Sequence, residues 1–208
     1  TLTPEAQVIG AVNTVLFDGA QLTGHNTDAD GFVRALQEAG FDPRGCDALV
    51  LGAGGAARAV AYALARLEAR VVIVNRSPER AEALARELGA LLPTARLSAD
   101  CLEPRTIARS AAAAQLVVNT TPLGMWPAVE GSPWPDDCAF PATALLFDLV
   151  YNPRATRLMA QARAAGATAV DGLRMVVHQG ARALELWTGM SPPIEAMYCA
   201  CVAQLGGE

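Results

Sequence analysis

The chain has no lysine: all 16 basic residues among its 208 are arginine. A guanidinium stays protonated at every accessible pH, so none of these basic side chains is suited to deliver a proton to a substrate. Positive charge is scarce overall, with a net charge of −5. That excludes the basic face a nucleic-acid partner demands. Long apolar runs are also missing. The longest uncharged stretch, residues 110–129, is broken by Asn119, Thr120, Thr121, Pro122 and Pro127 and is not a membrane span. No signal peptide is visible, and the opening Thr1-Leu2-Thr3-Pro4 lacks an initiator Met. The expectation is that an upstream segment was processed away or lies outside this chain. The five cysteines are odd in number and lack metal-type spacing. They read as reduced thiols in a cytoplasmic protein, with no metal site.

What is present is apolar and periodic. Hydrophobic residues make up 52% of the chain, enough for a substantial core. Residues 8–17 are rich in β-formers, Asp18-Gly19 is a hairpin signal, and residues 21–26 supply a returning strand. Thr27 is placed to cap a helix with an apolar face of Phe32, Leu36 and Ala39, ending at Gly40. Short apolar runs then alternate with helical stretches. The runs are Leu49-Val50-Leu51, Val71-Val72-Ile73-Val74, Leu116-Val117-Val118, Leu145-Leu146-Phe147 and Thr168-Ala169-Val170. They lack period-two alternation, as strands covered on both faces do. Between them lie helices with stripes Val60, Ala63, Leu64, Leu67 and Ala81, Leu84, Ala85, Leu88. This is a doubly wound parallel sheet. Each run ends in a small or polar residue (Gly52, Asn75, Asn119, Asp148, Asp171), the expected lining of one crevice at the carboxyl ends of the strands. Two helical stripes follow: Leu173, Val176, Val177, Gly180, Leu184, Trp187, then Ile194, Met197, Cys201, Leu205. Residues 122–141 read as a loop rich in Pro and Trp, either a mobile flap or an ordered segment.

Gly52-Ala53-Gly54-Gly55-Ala56-Ala57 stands between a strand and a helix and reads G-x-G-x-x-A. The first glycine permits a tight turn, the second admits a pyrophosphate to the backbone, and the small final residue allows close helix packing. The helix start then offers free N–H groups to the phosphates. The second strand decides which dinucleotide is held. NAD sites usually carry Asp or Glu there for the ribose 2′-hydroxyl; this chain has Asn75-Arg76-Ser77-Pro78-Glu79-Arg80. No carboxylate directly follows that strand to repel a 2′-phosphate, and Arg76 and Arg80 can bracket one, which assigns NADP(H). Ser77 is expected to cap the next helix, with Pro78 at its first position. The competing reading of the two arginines is a solvated helix face.

Six segments occur in order: Gly10-Ala11-Val12-Asn13-Thr14, Asn26-Thr27-Asp28, 52–56, Asn75-Arg76-Ser77, 119–125 from Asn119 to Met125, and Asp171-Gly172-Leu173 with Met175, Val176, Val177 and Gln179. As a set they resemble the shikimate dehydrogenase family, over residues 8–189. The resemblance implies an NADP-dependent enzyme that reversibly reduces 3-dehydroshikimate to shikimate in aromatic amino-acid and chorismate biosynthesis. It implies an α/β fold: a Rossmann-like doubly wound parallel sheet over residues 28–171, with the remnant of a second α/β substrate-binding domain in residues 1–27 and 172–208. Asn13, Asp28, Tyr151 and Gln179 are then substrate-binding, with Asp28 also catalytic. Gly52, Ala53, Gly54, Gly55, Ala56, Asn75, Arg76, Ser77 and Arg80 hold the cofactor, and Leu149, Gly172 and Met175 line its nicotinamide end. Met175 and Gln179 are four apart and share a helix face distinct from the Leu173–Val176–Leu184 stripe. Taken alone, an Asp at a helix start such as Asp28 is more often a stabilising charge on the helix dipole than a catalytic group. His25 and His178 are not at metal-ligand spacing and are not expected to be catalytic.

One departure is large. The family's proton donor is a lysine paired with the aspartate and carried by an N-terminal substrate domain. The expectation is therefore an enzyme incomplete at its N-terminus and by itself inactive, with the lysine in the missing segment. Two alternatives stand beside it: a non-catalytic NADP(H)-binding or regulatory module, and a relative acting on quinate or an aminated analogue. A homodimer is compatible with the sequence, and loss of the first domain is expected to expose apolar surface on the 8–26 hairpin and the C-terminal helices. Charge-assisted hydrogen bonds of roughly 1.5–3 kcal/mol each predict a preference for NADP(H) over NAD(H) of tens- to hundreds-fold. Titration with both cofactors checks this, and comparable dissociation constants refute it.

Overall fold

The computed structural model describes residues 1–206. In chain order the elements are α1 (Pro4–Ile9), β1 (Thr14–Phe17), β2 (Leu22–His25), α2 (Asp28–Glu38), β3 (Asp47–Leu51), α3 (Gly55–Arg66), β4 (Arg70–Asn75), α4 (Pro78–Leu91), β5 (Arg96–Cys101) and α5 (Pro104–Ala111). They continue with β6 (Leu116–Asn119), β7 (Leu145–Asp148), α6 (Arg157–Ala164), β8 (Thr168–Val170), α7 (Leu173–Thr188) and α8 (Ile194–Gln204). Strands β3 to β8 form one parallel sheet in the order β5-β4-β3-β6-β7-β8. The order reverses between β3 and β6, which opens a crevice at their carboxyl ends.

Alternation along each strand divides the core in two. Val50, Ile73, Val118 and Phe147 are cross-strand neighbours on one face and pack with α2, α3 and α4. Leu49, Leu51, Val117 and Leu146 point the other way and pack with α5 and α6. Covered on both sides, these strands need apolar residues at every position, hence the unbroken runs. Phe32 of α2 meets Phe147 of β7 edge-on, with centroids 5.3 Å apart at 81°. Such a pair contributes about 0.5–1.5 kcal/mol beyond its buried area. It also fixes α2 over the centre of the sheet.

The other sheet is the antiparallel hairpin β1–β2, its turn closed by Asp18 Oδ1, which accepts from the N–H groups of Ala20 and Gln21 at 3.0 and 2.9 Å. Val15, Phe17 and Leu22 on this hairpin are exposed, as is Trp187 near the end of α7. The Trp187 indole donates to the carbonyl of Val15 at 2.9 Å, so α7 spans from the sheet to the hairpin. Helix α8 leans on α7 without burying any residue fully, and Arg174 lies 3.7 Å over the Tyr198 ring. Among the described residues no helix is long and apolar enough to cross a membrane.

Several elements differ from the sequence reading. Residues 8–17 do not form one strand. Thr3 Oγ accepts from Ala6 N–H, Pro4 opens α1, and Gly10 at φ +71° ends it, so Val8 and Ile9 are helical. A β-former count overlooks this start-and-stop signal. Strand β5 and helices α5 and α6 are additions to the sequence reading. β5 is an edge strand (Arg-Leu-Ser-Ala-Asp-Cys), only half-buried, and lacks the apolar run of its neighbours. The expected α7 stripe is shifted: Met175, Val177, His178 and Ala181 are buried, whereas Val176 and Leu184 are half-buried and Trp187 is exposed. In the 122–141 loop, Trp134 packs on Phe140 at 4.6 Å and donates to the Cys138 carbonyl, which anchors its second half to the core.

Candidate active site

The glycine turn has the form its sequence calls for. Gly52 sits at φ +113°, a left-handed conformation, and a Cβ there would overlap the Thr120 hydroxyl. The turn is therefore drawn against the loop after β6. Gly54 and Gly55 are the reverse case: their missing Cβ atoms face open space, as a backbone awaiting a bulky ligand requires. Gly54 precedes α3, whose first-turn N–H groups have no acceptor within the helix. Ala53 and Ala56 are half-buried, and Ala57, the last residue of the motif, is completely buried. Arg76 and Arg80 are exposed, and neither makes an ion pair or side-chain hydrogen bond among the described residues. Asn75 donates to the Ser77 carbonyl at 3.0 Å and shapes this corner. Ser77 does hold the N-cap position ahead of Pro78, but its hydroxyl makes no capping bond, contrary to expectation. A glycine turn with space in front of it and two free guanidiniums beyond β4 fit a dinucleotide carrying an additional phosphate.

The five strand ends do not play one role. Asn119 and Asp148 are fully buried and bonded to each other at 2.8 Å. Asp148 also accepts from the Thr156 hydroxyl at 2.6 Å and the Val150 N–H at 3.1 Å. Burial raises its carboxyl above the usual aspartate range despite these donors. The pair braces the crevice floor from beneath. Asp171 is taken up by Arg154 at 2.8 Å. Only Gly52 and Asn75 remain as strand ends on the ligand side.

Three of the four residues expected to bind substrate, with Thr27, meet at the Asn13 amide. Its Nδ2 donates to Asp28 Oδ1 at 2.8 Å, to Thr27 Oγ at 3.0 Å and, at 3.5 Å, to Gln179 Oε1. Its Oδ1 accepts from the Thr27 N–H at 2.9 Å. Segments 166 residues apart thus meet on one side chain. The start of α2 is held by Asn26, whose Oδ1 accepts from the N–H groups of Asp28 and Ala29 at 3.1 and 3.3 Å. Thr27, expected to be the cap, directs its hydroxyl to Asn13 and Gln179 instead. Thr27 thus belongs to the polar cluster, where the sequence reading assigns it only a capping role; its place between Asn26 and Asp28 was the available signal. Burial holds the Asp28 carboxyl above its ordinary value, the Asn13 bond opposes this, and no cation lies within ion-pair distance among the described residues.

The two halves are contiguous through α7. The Thr120 N–H bonds Leu51, and Leu149 donates to Asn119. A Cβ on Gly172 would overlap the Leu149 carbonyl, so the entry to α7 presses on the loop after β7. Gly172 is thus demanded by packing, whatever its part at the nicotinamide. Met175 is buried in the main core, and its carbonyl faces Gly31 of α2. Gln179, one turn on, reaches Asn13. Tyr151 stands apart: it is 39% exposed, and its hydroxyl makes no hydrogen bond among the described residues. His178 is buried against Glu38 at 2.9 Å, away from this cluster. Among the described residues no group of three or more His, Cys, Asp or Glu could hold a metal ion.

The family described as Shikimate / quinate 5-dehydrogenase matches residues 35–124, and the Shikimate 5'-dehydrogenase C-terminal domain matches residues 172–200. The NADP(+) shikimate dehydrogenase of Moorella thermoacetica is 49% identical over 196 residues, covering 93% of this chain and 65% of its own length. That of Symbiobacterium thermophilum is 46% identical over 208 residues, covering 99% and 70%. The chain belongs to the shikimate/quinate dehydrogenase family. Among solved structures, shikimate 5-dehydrogenase from Thermus thermophilus in complex with NADP(H) and shikimate matches with a TM-score of 0.84 at 44% identity. The match covers 97% of this chain and 71% of that one. This member of the family therefore spans about two-thirds to 70% of the length of the relatives it matches.

Because the folded-state value of Asp28 is raised, the carboxyl favours folding only while protonated, and its contribution is lost as pH rises through that value. Asp28→Asn keeps an acceptor for Asn13 without the buried charge. It is expected to unfold at or above the parent's temperature at pH 7, with the difference closing as pH falls toward about 4, the ordinary aspartate value. Thermal denaturation at both pH values checks this, and a lower midpoint for the variant at pH 7 contradicts it.

Proposed function

We propose that this protein catalyses the NADP-dependent, reversible reduction of 3-dehydroshikimate to shikimate, the activity after which its relatives are named. The observation that carries the reading is the convergence of Asn13, Asp28 and Gln179 on one surface, joined through α7 to the glycine turn. A polyhydroxylated ring needs such a surface: an amide donor, a carboxylate acceptor and a second amide held in fixed relation.

In this reading Gly52 to Ala56 receive the pyrophosphate, Arg76 and Arg80 bracket the 2′-phosphate beside Asn75 and Ser77, and Leu149, Gly172 and Met175 border the nicotinamide. Bound there, the reduced nicotinamide supplies a hydride to the substrate carbonyl. The protein's residues do the rest. Asn13 and Gln179 orient the ring hydroxyls, with Tyr151 closing in from the loop after β7. Asp28, lifted by burial, takes part in proton transfer at the reacting oxygen. Its partner in this step is a lysine outside the 208 residues, in a segment that the longer relatives accommodate. That ammonium would occupy the ion-pair position next to Asp28 and draw its carboxyl downward. Residues 1–27 and 172–208 then belong to the substrate lobe and residues 28–171 to the NADP lobe of a cytoplasmic enzyme.

A non-catalytic NADP(H)-binding module is the second reading, favoured by the complete absence of lysine. Steady-state assay of the full-length protein separates the two. With NADPH and 3-dehydroshikimate the enzyme turns over, and Asp28→Asn lowers kcat by about 10²–10⁴-fold, the usual contribution of a positioned acid or base. A full-length protein that binds NADPH tightly without turnover overturns the proposal in favour of the module. Faster turnover with quinate than with shikimate moves the substrate assignment.

A further inference from the structure

Gln179 reaches the Asn13 cluster from a helix otherwise committed to the core, and what sets its distance is a missing methyl group on α2. Gly31 lies in the second turn of α2 with ordinary helical geometry, so no turn or positive φ calls for glycine there. A Cβ at this position would stand 2.8 Å from the backbone nitrogen of Gln179 and 3.0 Å from both Gln179 Cβ and the Met175 carbonyl oxygen. Two of these three atoms are backbone, so the clash cannot be relieved by a rotamer change; α2 and α7 must separate. Further along α2, Glu38 makes an ion pair with Arg174 of α7 at 3.6 Å and lies 2.9 Å from His178 Nε2. An added methyl therefore levers α7 away at the level of Gln179.

We infer that Gly31 is a positioning residue: by admitting α7 to backbone contact, it brings Gln179 within reach of Asn13 and Thr27. The inference rests on the proposed role of Gln179 toward substrate. The distances leave little slack. Gln179 Oε1 accepts from Thr27 Oγ at 3.3 Å and from Asn13 Nδ2 at 3.5 Å. Both lie at or beyond the long end of the hydrogen-bond range, so a retreat of a few tenths of an ångström ends them. The Asn13–Asp28 bond, at 2.8 Å, involves neither α7 nor Gly31 and survives.

The test is Gly31→Ala in the full-length protein, by crystallography and by kinetics of shikimate oxidation. In the crystal, Gln179 Oε1 lies beyond hydrogen-bond reach of Asn13 and Thr27 while Asn13 still bonds Asp28; a variant that retains the Gln179 contacts overturns the inference. In the assay, KM for shikimate rises about three- to tenfold, the loss of one neutral hydrogen bond. Gly31→Ala added to Gln179→Ala causes no further rise, because the glycine acts through that side chain. Multiplicative losses in the double variant overturn it. If Gln179→Ala alone leaves KM for shikimate unaltered, the substrate role of Gln179 fails, and the crystal structure still decides the positioning. Should the alanine variant not fold, Glu38→Ala loosens the neighbouring tie between the helices and is expected to raise KM for shikimate. Unaltered KM values there count against the inference.

Discussion

The side-chain amide of Asn13 is the joint on which the rest depends. It binds the end of the α1–β1 connection, the first residues of α2 and the middle of α7 to one another, alongside the direct Thr27–Gln179 bond and the close packing of α2 on α7 at Gly31. An amide can do this because it donates and accepts at the same time: its oxygen takes the Thr27 N–H while the two hydrogens of its nitrogen serve Asp28 and Thr27, with Gln179 Oε1 at 3.5 Å beside them. A carboxylate could not donate to Asp28, and an aliphatic residue would leave the Thr27 N–H unpaired. The cost of the arrangement is borne by Asp28, a carboxyl raised by burial with no cation within ion-pair distance among the described residues.

A second constraint is the use of glycine to bring backbones together. At Gly52, Gly172 and Gly31 a single Cβ would collide with the Thr120 hydroxyl, the Leu149 carbonyl and the α7 backbone respectively. The three contacts follow one another from the phosphate turn to the substrate side. Only the first has a left-handed φ. The other two are demanded by space alone, which is why composition and turn statistics do not announce them.

The central sheet was legible because its strands are covered on both faces, and continuous apolar runs such as Val71–Val74 mark that burial directly. Gly52 to Ala57 was legible because each glycine answers a local requirement. The edge strand β5 was not, since half-burial permits Ser98 and Asp100. Short α1 was hidden behind the β-formers Val8 and Ile9, though Thr3-Pro4 and Gly10 mark its ends. The polar strand ends show a deeper limit. Asn119 and Asp148 have the same chemistry as ligand-facing residues, yet they satisfy one another inside the core, and only three-dimensional neighbours distinguish the two fates. The same holds for capping at α2: Asn26 and Thr27 are both competent by type, and Asn26 serves because the Thr27 hydroxyl is taken up by Asn13 and Gln179.

The proposed function places ring-hydroxyl recognition on the Asn13, Asp28 and Gln179 surface, next to a crevice for a phosphorylated dinucleotide. A crystal structure of the full-length protein with shikimate and NADP+ tests this most directly. It is expected to show shikimate hydroxyls on Asn13, Asp28 and Gln179, and the 2′-phosphate between Arg76 and Arg80. Shikimate seated away from these three side chains, or a 2′-phosphate out of reach of both arginines, would contradict it.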